Sequence, residues 1–164
     1  MSNKWTWSRA AGTDVVEIGN IARAHFRSEI TDIFALDEIA FNRNLTLDIV
    51  RQFYNPGMSL VTVARDNATG QMLGYTWCER GQRAVWSDEE MVCVKMVHVD
   101  LMLSVRDRVR LITEMMEQWE LWAVSCGIDI ICSTTMRHHQ DGFLRLHERN
   151  GYSVRGSICY KRLT

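Results

Sequence analysis

The chain has 164 residues, 46% of them hydrophobic and 24% charged, with a formal net charge of -1. That length suffices for one domain with a substantial core, and 1–164 is expected to fold as one. The balance excludes a disordered chain and gives no support to a broadly basic nucleic-acid binder.

In chain order, residues 4–9 alternate and are expected to form a short first strand. Gly12, Thr13 and Asp14 offer turn and capping chemistry, and 15–30 places Val15, Ile18, Ala22, His25 and Phe26 on one helical face. His25 is expected as a core-edge histidine, with no second metal-binding residue read at helical spacing from it. Asn42-Arg-Asn44 reads as a break, and 45–54 as a second short helix stopped by Pro56, the only proline. Residues 59–65 and 71–78 read as a hairpin around a turn-rich loop, and 81–89 as a polar connection.

The run 91–103, MVCVKMVHVDLML, reads as a long strand that passes through Ser104 into a long helix. Val105, Val109, Ile112, Met116, Trp119, Ala123 and Cys126 supply its expected buried face, and Gly127 its stop. Arg106, Arg108 and Arg110 crowd the helix entry beside Asp107. A strand feeding a helix N-terminus is a place where N–H groups can meet an anion, although charged helix entries are common on solvated faces too. Residues 128–134 read as a further buried strand, 143–150 as a short helix capped by Gly151, and 152–163 as a final strand interrupted at Gly156. A hairpin followed by strand–helix–strand implies an α/β domain with a mixed, mostly antiparallel central sheet flanked by helices.

Cys78, Cys93, Cys126, Cys132 and Cys159 show no CxxC spacing and lie mostly in apolar runs. They read as free thiols of a reducing compartment. No run is long enough to span a membrane and the first residues lack an apolar signal segment, so a cytoplasmic location is expected. His138 and His139 have no third ligand at suitable spacing, and no metal site is expected. No Ser-His-Asp order, Walker loop or dinucleotide fingerprint is present.

The element order resembles the GNAT family of N-acetyltransferases. The segment 143–152, FLRLHERNGY, is similar to a late segment of that family that usually reads Ala-x-Arg-Leu-Tyr-Glu-Lys-x-Gly-Phe. Arg145, Leu146, Glu148, Arg149, Gly151 and Tyr152 fit it, and His147 falls where the family carries the tyrosine that often protonates the departing thiolate. Gln140 stands near the family's usual asparagine. The family's pyrophosphate loop, Arg/Gln-x-x-Gly-x-Gly/Ala, has its nearest match at 106–111, where Val109 and Leu111 hold the glycine positions. A one-residue shift places Arg110 and Ile112 there instead. Glycine matters there because a Cβ limits how closely phosphate approaches the backbone.

The resemblance implies an N-acyltransferase that uses acetyl-CoA, or a related acyl-CoA, on a primary amine of a small molecule or protein. It implies cofactor contacts at Arg106, Arg108, Val109, Arg110, Leu111 and Gln140, and backbone donors around Val99 and Leu101. His98 and Asp100, two apart on the second half of the central strand, are the expected proton-handling residues, with Glu79 and Glu90 as further candidate bases. His147 is the expected thiolate acid. A second resemblance, to GNAT-like proteins of short-tailed phages that also lack the glycine loop, implies the alternative. In that reading the chain is phage-encoded, binds a virion or host protein, and neither holds CoA nor catalyses.

Overall fold

The computed structural model describes residues 4–137, 139–156 and 158–162. Five strands form one sheet in the order β1-β2-β3-β4-β5. They are β1 Trp5–Arg9, β2 Ser59–Asp66, β3 Met72–Arg83, β4 Glu90–Val99 and β5 Ile130–Ser133. Neighbours are antiparallel except β4 and β5, which run parallel. Parallel neighbours need a long crossover, and helix α3, Val105–Ser125, supplies it.

Helices α1, Val15–Glu29, and α2, Glu38–Tyr54, cover one face of the sheet. There Ile18, Ala22, Phe26, Leu45 and Ile49 pack on Val61, Val63, Tyr75 and Trp77. The other face carries α3 and α4, Asp141–Arg149, through Leu111, Met115, Trp119, Trp122 and Phe143. The expected mixed, mostly antiparallel sheet flanked by helices is the one observed.

One residue of β4 decides which side chains enter each layer. Trp77 pairs with Met96, but its neighbour Cys78 pairs with Val94, so Lys95 is an extra residue in β4. A bulge of this kind shifts the alternation by one. Val92 and Val94 before it, and Val97 and Val99 after it, therefore share the α3 face. Lys95 reaches the opposite side, to Asp48 of α2 at 3.1 Å and Glu79 at 2.8 Å. Across from Val99, Gly74 has no room for a side chain: a Cβ would stand 2.9 Å from the carbonyl oxygen of His98 and 3.0 Å from Met115 Cε.

Three expectations need correction. Helix α2 begins at Glu38, not Leu45, because Asp37 accepts a hydrogen bond from Ala40 N at 2.9 Å and caps it, leaving residues 42–44 inside the helix. The buried face of α3 keeps Met116, Trp119 and Ala123 as expected but is turned at its first half: Val105 and Val109 are exposed, whereas Leu111 and Met115, with Trp122 later, are buried. Residues 152–156 and 158–162 form no strand, and Gly156 takes a φ of +70 there. The remaining parts of that expected strand, 157 and 163, lie outside the described residues, as does His138.

Candidate functional site

Strands β4 and β5 stay together only from Met91↔Ile130 to Val94↔Ser133. Past that point β5 ends and β4 runs on through its bulge, leaving residues 95–99 with one side unpaired among the described strands. Opposed residues of an antiparallel pair alternate between exchanging hydrogen bonds and facing away. Asp100 N reaches Leu73 O of β3 at 2.8 Å, so Val99 and Val97 face away from β3. Their carbonyls are met in the gap by side chains, Val99 O by His25 Nε2 and Val97 O by Arg137 Nη2, each at 2.8 Å. Their N–H groups, which in a strand point the same way as the carbonyls, face the same gap.

Behind the gap lies a buried polar cluster. Glu29 accepts from His98 Nε2 through Oε2 at 3.3 Å and holds Arg137 Nε at 3.0 Å through Oε1. Tyr75 Oη donates to His98 Nδ1 at 2.8 Å. This network assigns His98 as a neutral ring with its proton on Nε2. His25 donates through Nε2 to Val99, so its contact to Glu29 Oε1, at 3.3 Å from Nδ1, is attractive only when a proton lies between them. Burial pushes the Glu29 carboxyl up, but the hydrogen bonds of His25 and His98 and the charge of Arg137 outweigh it and hold the group below the ordinary carboxylate range. Burial also lowers His98 to about 4, against the raising pull of Glu29, and raises the Tyr75 hydroxyl well above its usual value.

His25, Glu29 and His98 bring ligand atoms within 4.8 Å of one another, as a metal site would. Two facts argue for proton sharing instead. The imidazoles stack at 4.2 Å with planes 6° apart, and a ligating lone pair lies in its ring plane, so one ion cannot sit on both axes. The Arg137 guanidinium already supplies a cation to Glu29. Glu29 stands four residues after His25, a helical spacing that the sequence reading overlooked. Tyr75 and Arg137 were missed too, and no local pattern joins them to the cluster.

On the other side of Arg137, between β5, α4 and the segment after it, is a cavity of about 500 Å³. Ser133, Arg137, Gln140, Phe143, His147 and Tyr152 line it. His147 is buried on α4. Its Nδ1 donates to Phe143 O at 2.9 Å, which leaves Nε2 as an acceptor for Ser133 Oγ at 2.9 Å. Burial and the nearby Arg137 charge lower its pKa despite the Phe143 hydrogen bond, keeping the ring neutral near pH 7. His147 and Gln140 thus line the cavity, and Arg137 stands between it and the free end of β4.

The other expected residues sit around the start of α3. Asp100 accepts from Met102 N at 2.9 Å and from Gln71 Nε2 at 3.1 Å, closing the turn after β4, and does not join His98. Leu101 is exposed in that turn. Ser104 caps the helix by accepting from Asp107 N at 3.1 Å, and Asp107 pairs with Lys4 at 2.8 Å. The helix entry is therefore furnished with its own carboxylate. Arg110 pairs with Glu114 and lies over Trp5, Leu111 is buried in the core, and Arg106 and Val109 are exposed. Arg108 Nε is shielded from solvent without a hydrogen-bond partner among the described residues.

No protein-family model and no curated protein sequence matches the chain. Solved structures do. An aminoglycoside 6'-N-acetyltransferase from Acinetobacter baumannii superposes with a TM-score of 0.70 at 12% identity, covering 98% of both chains. A predicted acetyltransferase from Clostridium acetobutylicum, solved with acetyl-CoA, gives 0.70 at 12% over 96% of both. Glucosamine-6-phosphate N-acetyltransferase from Arabidopsis thaliana gives 0.64 at 12% over 99% of this chain and 100% of its own. No helix among the described residues is long and apolar enough to cross a membrane. The five-stranded, mostly antiparallel sheet and its flanking helices, matched along nearly the whole chain to these structures, give the protein the GNAT fold.

Proposed function

We propose that this chain transfers an acetyl or related acyl group from a CoA thioester to a primary amine. The observation that carries the reading is the freed edge of β4 beyond its bulge, with the N–H groups of Val97 and Val99 turned into a gap that opens beside a large cavity. An extended acyl chain bearing amides can pair with such an edge as a short added strand. A thioester oxygen next to Val99 N–H would gain a donor as negative charge develops on it. One structural neighbour was solved with acetyl-CoA, which supports the same donor here.

The remaining roles follow from position. Arg106 and Arg108 flank the α3 entry, and the unpartnered Nε of Arg108 is a donor suited to a diphosphate. Asp107 and Lys4 occupy the place of a glycine cradle, so the arginines at 106 and 108, with Arg110 near them, carry the phosphate contact more than the amides of Val109 and Leu111 do. Gln140 lines the cavity as an amide partner, and His147 faces the departing thiolate. Asp100, at the turn beyond Val99, pairs with the incoming ammonium. His98 has both nitrogens engaged, so it acts on a proton only through Glu29 or Tyr75.

A melting curve with and without acetyl-CoA tests the reading. A ligand that binds only the folded chain at a hundred times its dissociation constant adds about 2.7 kcal/mol. A rise in Tm together with amine-dependent release of free CoA thiol is expected. A folded protein that shows neither at millimolar acetyl-CoA would overturn the acyltransferase reading.

A further inference from the structure

Ser133 is the last residue of β5 still paired to β4, opposite Val94, so it marks the point at which the two strands part. Its hydroxyl lies 2.9 Å from His147 Nε2. The other ring nitrogen is tied to the carbonyl of Phe143 at 2.9 Å, one turn back along α4. A main-chain carbonyl on Nδ1–H fixes the tautomer, and the lone pair of Nε2 is thereby aimed at the serine. A hydroxyl, a base within hydrogen-bond reach and a third group orienting the base form the arrangement of an activated nucleophile. Phe143 at 4.2 Å and Tyr152 at 5.0 Å hold the imidazole between their rings, so its direction is set by packing as well. Both members of the pair line the 500 Å³ cavity, and Gln140 lines it with them.

We infer that Ser133 and His147 form a nucleophile–base pair that accepts the acyl group of an activated ester or thioester onto the serine before an amine takes it. This rests on the acyltransferase reading for the identity of the natural donor, but not for the chemistry of the pair. It also removes a difficulty with His147 as a simple acid. A neutral ring whose only proton is committed to Phe143 has none on Nε2 for a thiolate, and the hydroxyl proton of Ser133 is the one within reach.

The steps balance. Ser133 Oγ bonds to the carbonyl carbon of the thioester while its proton passes to His147 Nε2. The C–S bond breaks, and the thiolate leaves with that proton as a free thiol. A neutral primary amine then attacks the ester carbon, giving its proton to His147 Nε2. The C–O bond breaks, and Ser133 Oγ recovers the proton as the amide departs. The N–H groups beyond Val94 on the free edge of β4 face the gap in which the carbonyl oxygen would lie.

The test uses the intact chain with two donors, acetyl-CoA and p-nitrophenyl acetate, in the absence of amine. An acid quench followed by peptide mass analysis is expected to find one added acetyl group on Ser133, with a matching burst of released thiol or nitrophenolate. Ser133→Ala removes the adduct and the burst, Ser133→Cys restores a burst, and His147→Gln slows the burst by at least about a hundredfold. Melting curves of the variants confirm that each is folded. Labelling by p-nitrophenyl acetate alone upholds the pair while discarding CoA as its donor. Amine acetylation at the parental rate by Ser133→Ala, with no acetyl group on Ser133 in the parent, overturns the pair and leaves the acyltransferase reading standing.

Discussion

At the scale of single residues, the site is built on neutral rings held by their neighbours. His98 takes a proton in the unfolded chain near pH 6.5 but in the folded chain only near 4, because it is buried between Tyr75, His25, Glu29 and Arg137. Between those values the unfolded chain binds a proton that the folded chain refuses. Stability therefore rises with pH across this window and is lost as pH falls through it. Glu29, held below the ordinary carboxylate range, adds a loss of the same sign at lower pH. Thermal melting from pH 7 to 4 is expected to show a falling Tm, with a shallower slope in His98→Gln; equal slopes would remove His98 from the balance. For His147, replacement by Phe is expected to lower kcat about a hundredfold to ten-thousandfold while leaving KM for the acyl donor nearly unchanged. His147→Tyr is expected to be slowed likewise, since a phenol cannot take the hydroxyl proton of Ser133. Parental kcat in both variants would deny His147 any chemical role.

At the scale of elements, β4 is the strand on which the site depends. Its valines at 92, 94, 97 and 99 carry a break in alternation that announces the Lys95 bulge, and the sequence reading passed over it. Gly74 seats β3 against the outgoing half of β4, and Gly74→Ala would place a methyl 2.9 Å from a backbone oxygen that has little freedom to move. A loss of roughly 1–3 kcal/mol is expected, typical of overpacking, with a lower urea midpoint and unchanged m-value. A variant as stable as the parent would contradict the close approach. Local spacing made the hairpin, the Gly127 stop and the helix carrying His147 legible. It did not fix the rotation of α3. That rotation is set from outside the helix, where Trp5 and Trp7 both donate to Glu114, at 2.6 and 2.7 Å, and Arg110 lies over Trp5. These partners stand more than a hundred residues apart in sequence, and no periodicity within α3 contains them.

At the scale of the whole molecule, the chain brings together the end of α1, the freed half of β4, the loop after β5 and the middle of α4. The family resemblance singled out His147 and Gln140, and both line the cavity beside α4. It could not place Ser133, Glu29 or Arg137, whose roles arise only when β5 ends and the loop folds back on β4. Arg137 joins the two sides of the gap: its guanidinium meets Val97 O and Glu29 while lying 4.5 Å over the Phe143 ring. The proposed transfer requires an acyl-CoA to lie along the edge of β4 next to that residue. Backbone amide exchange, followed by mass spectrometry with and without acetyl-CoA, measures this directly. Slower exchange is expected in the peptide covering 95–101 when acetyl-CoA is present, with the β1 and β2 peptides unchanged. Exchange in 95–101 that is indifferent to millimolar acetyl-CoA would contradict it.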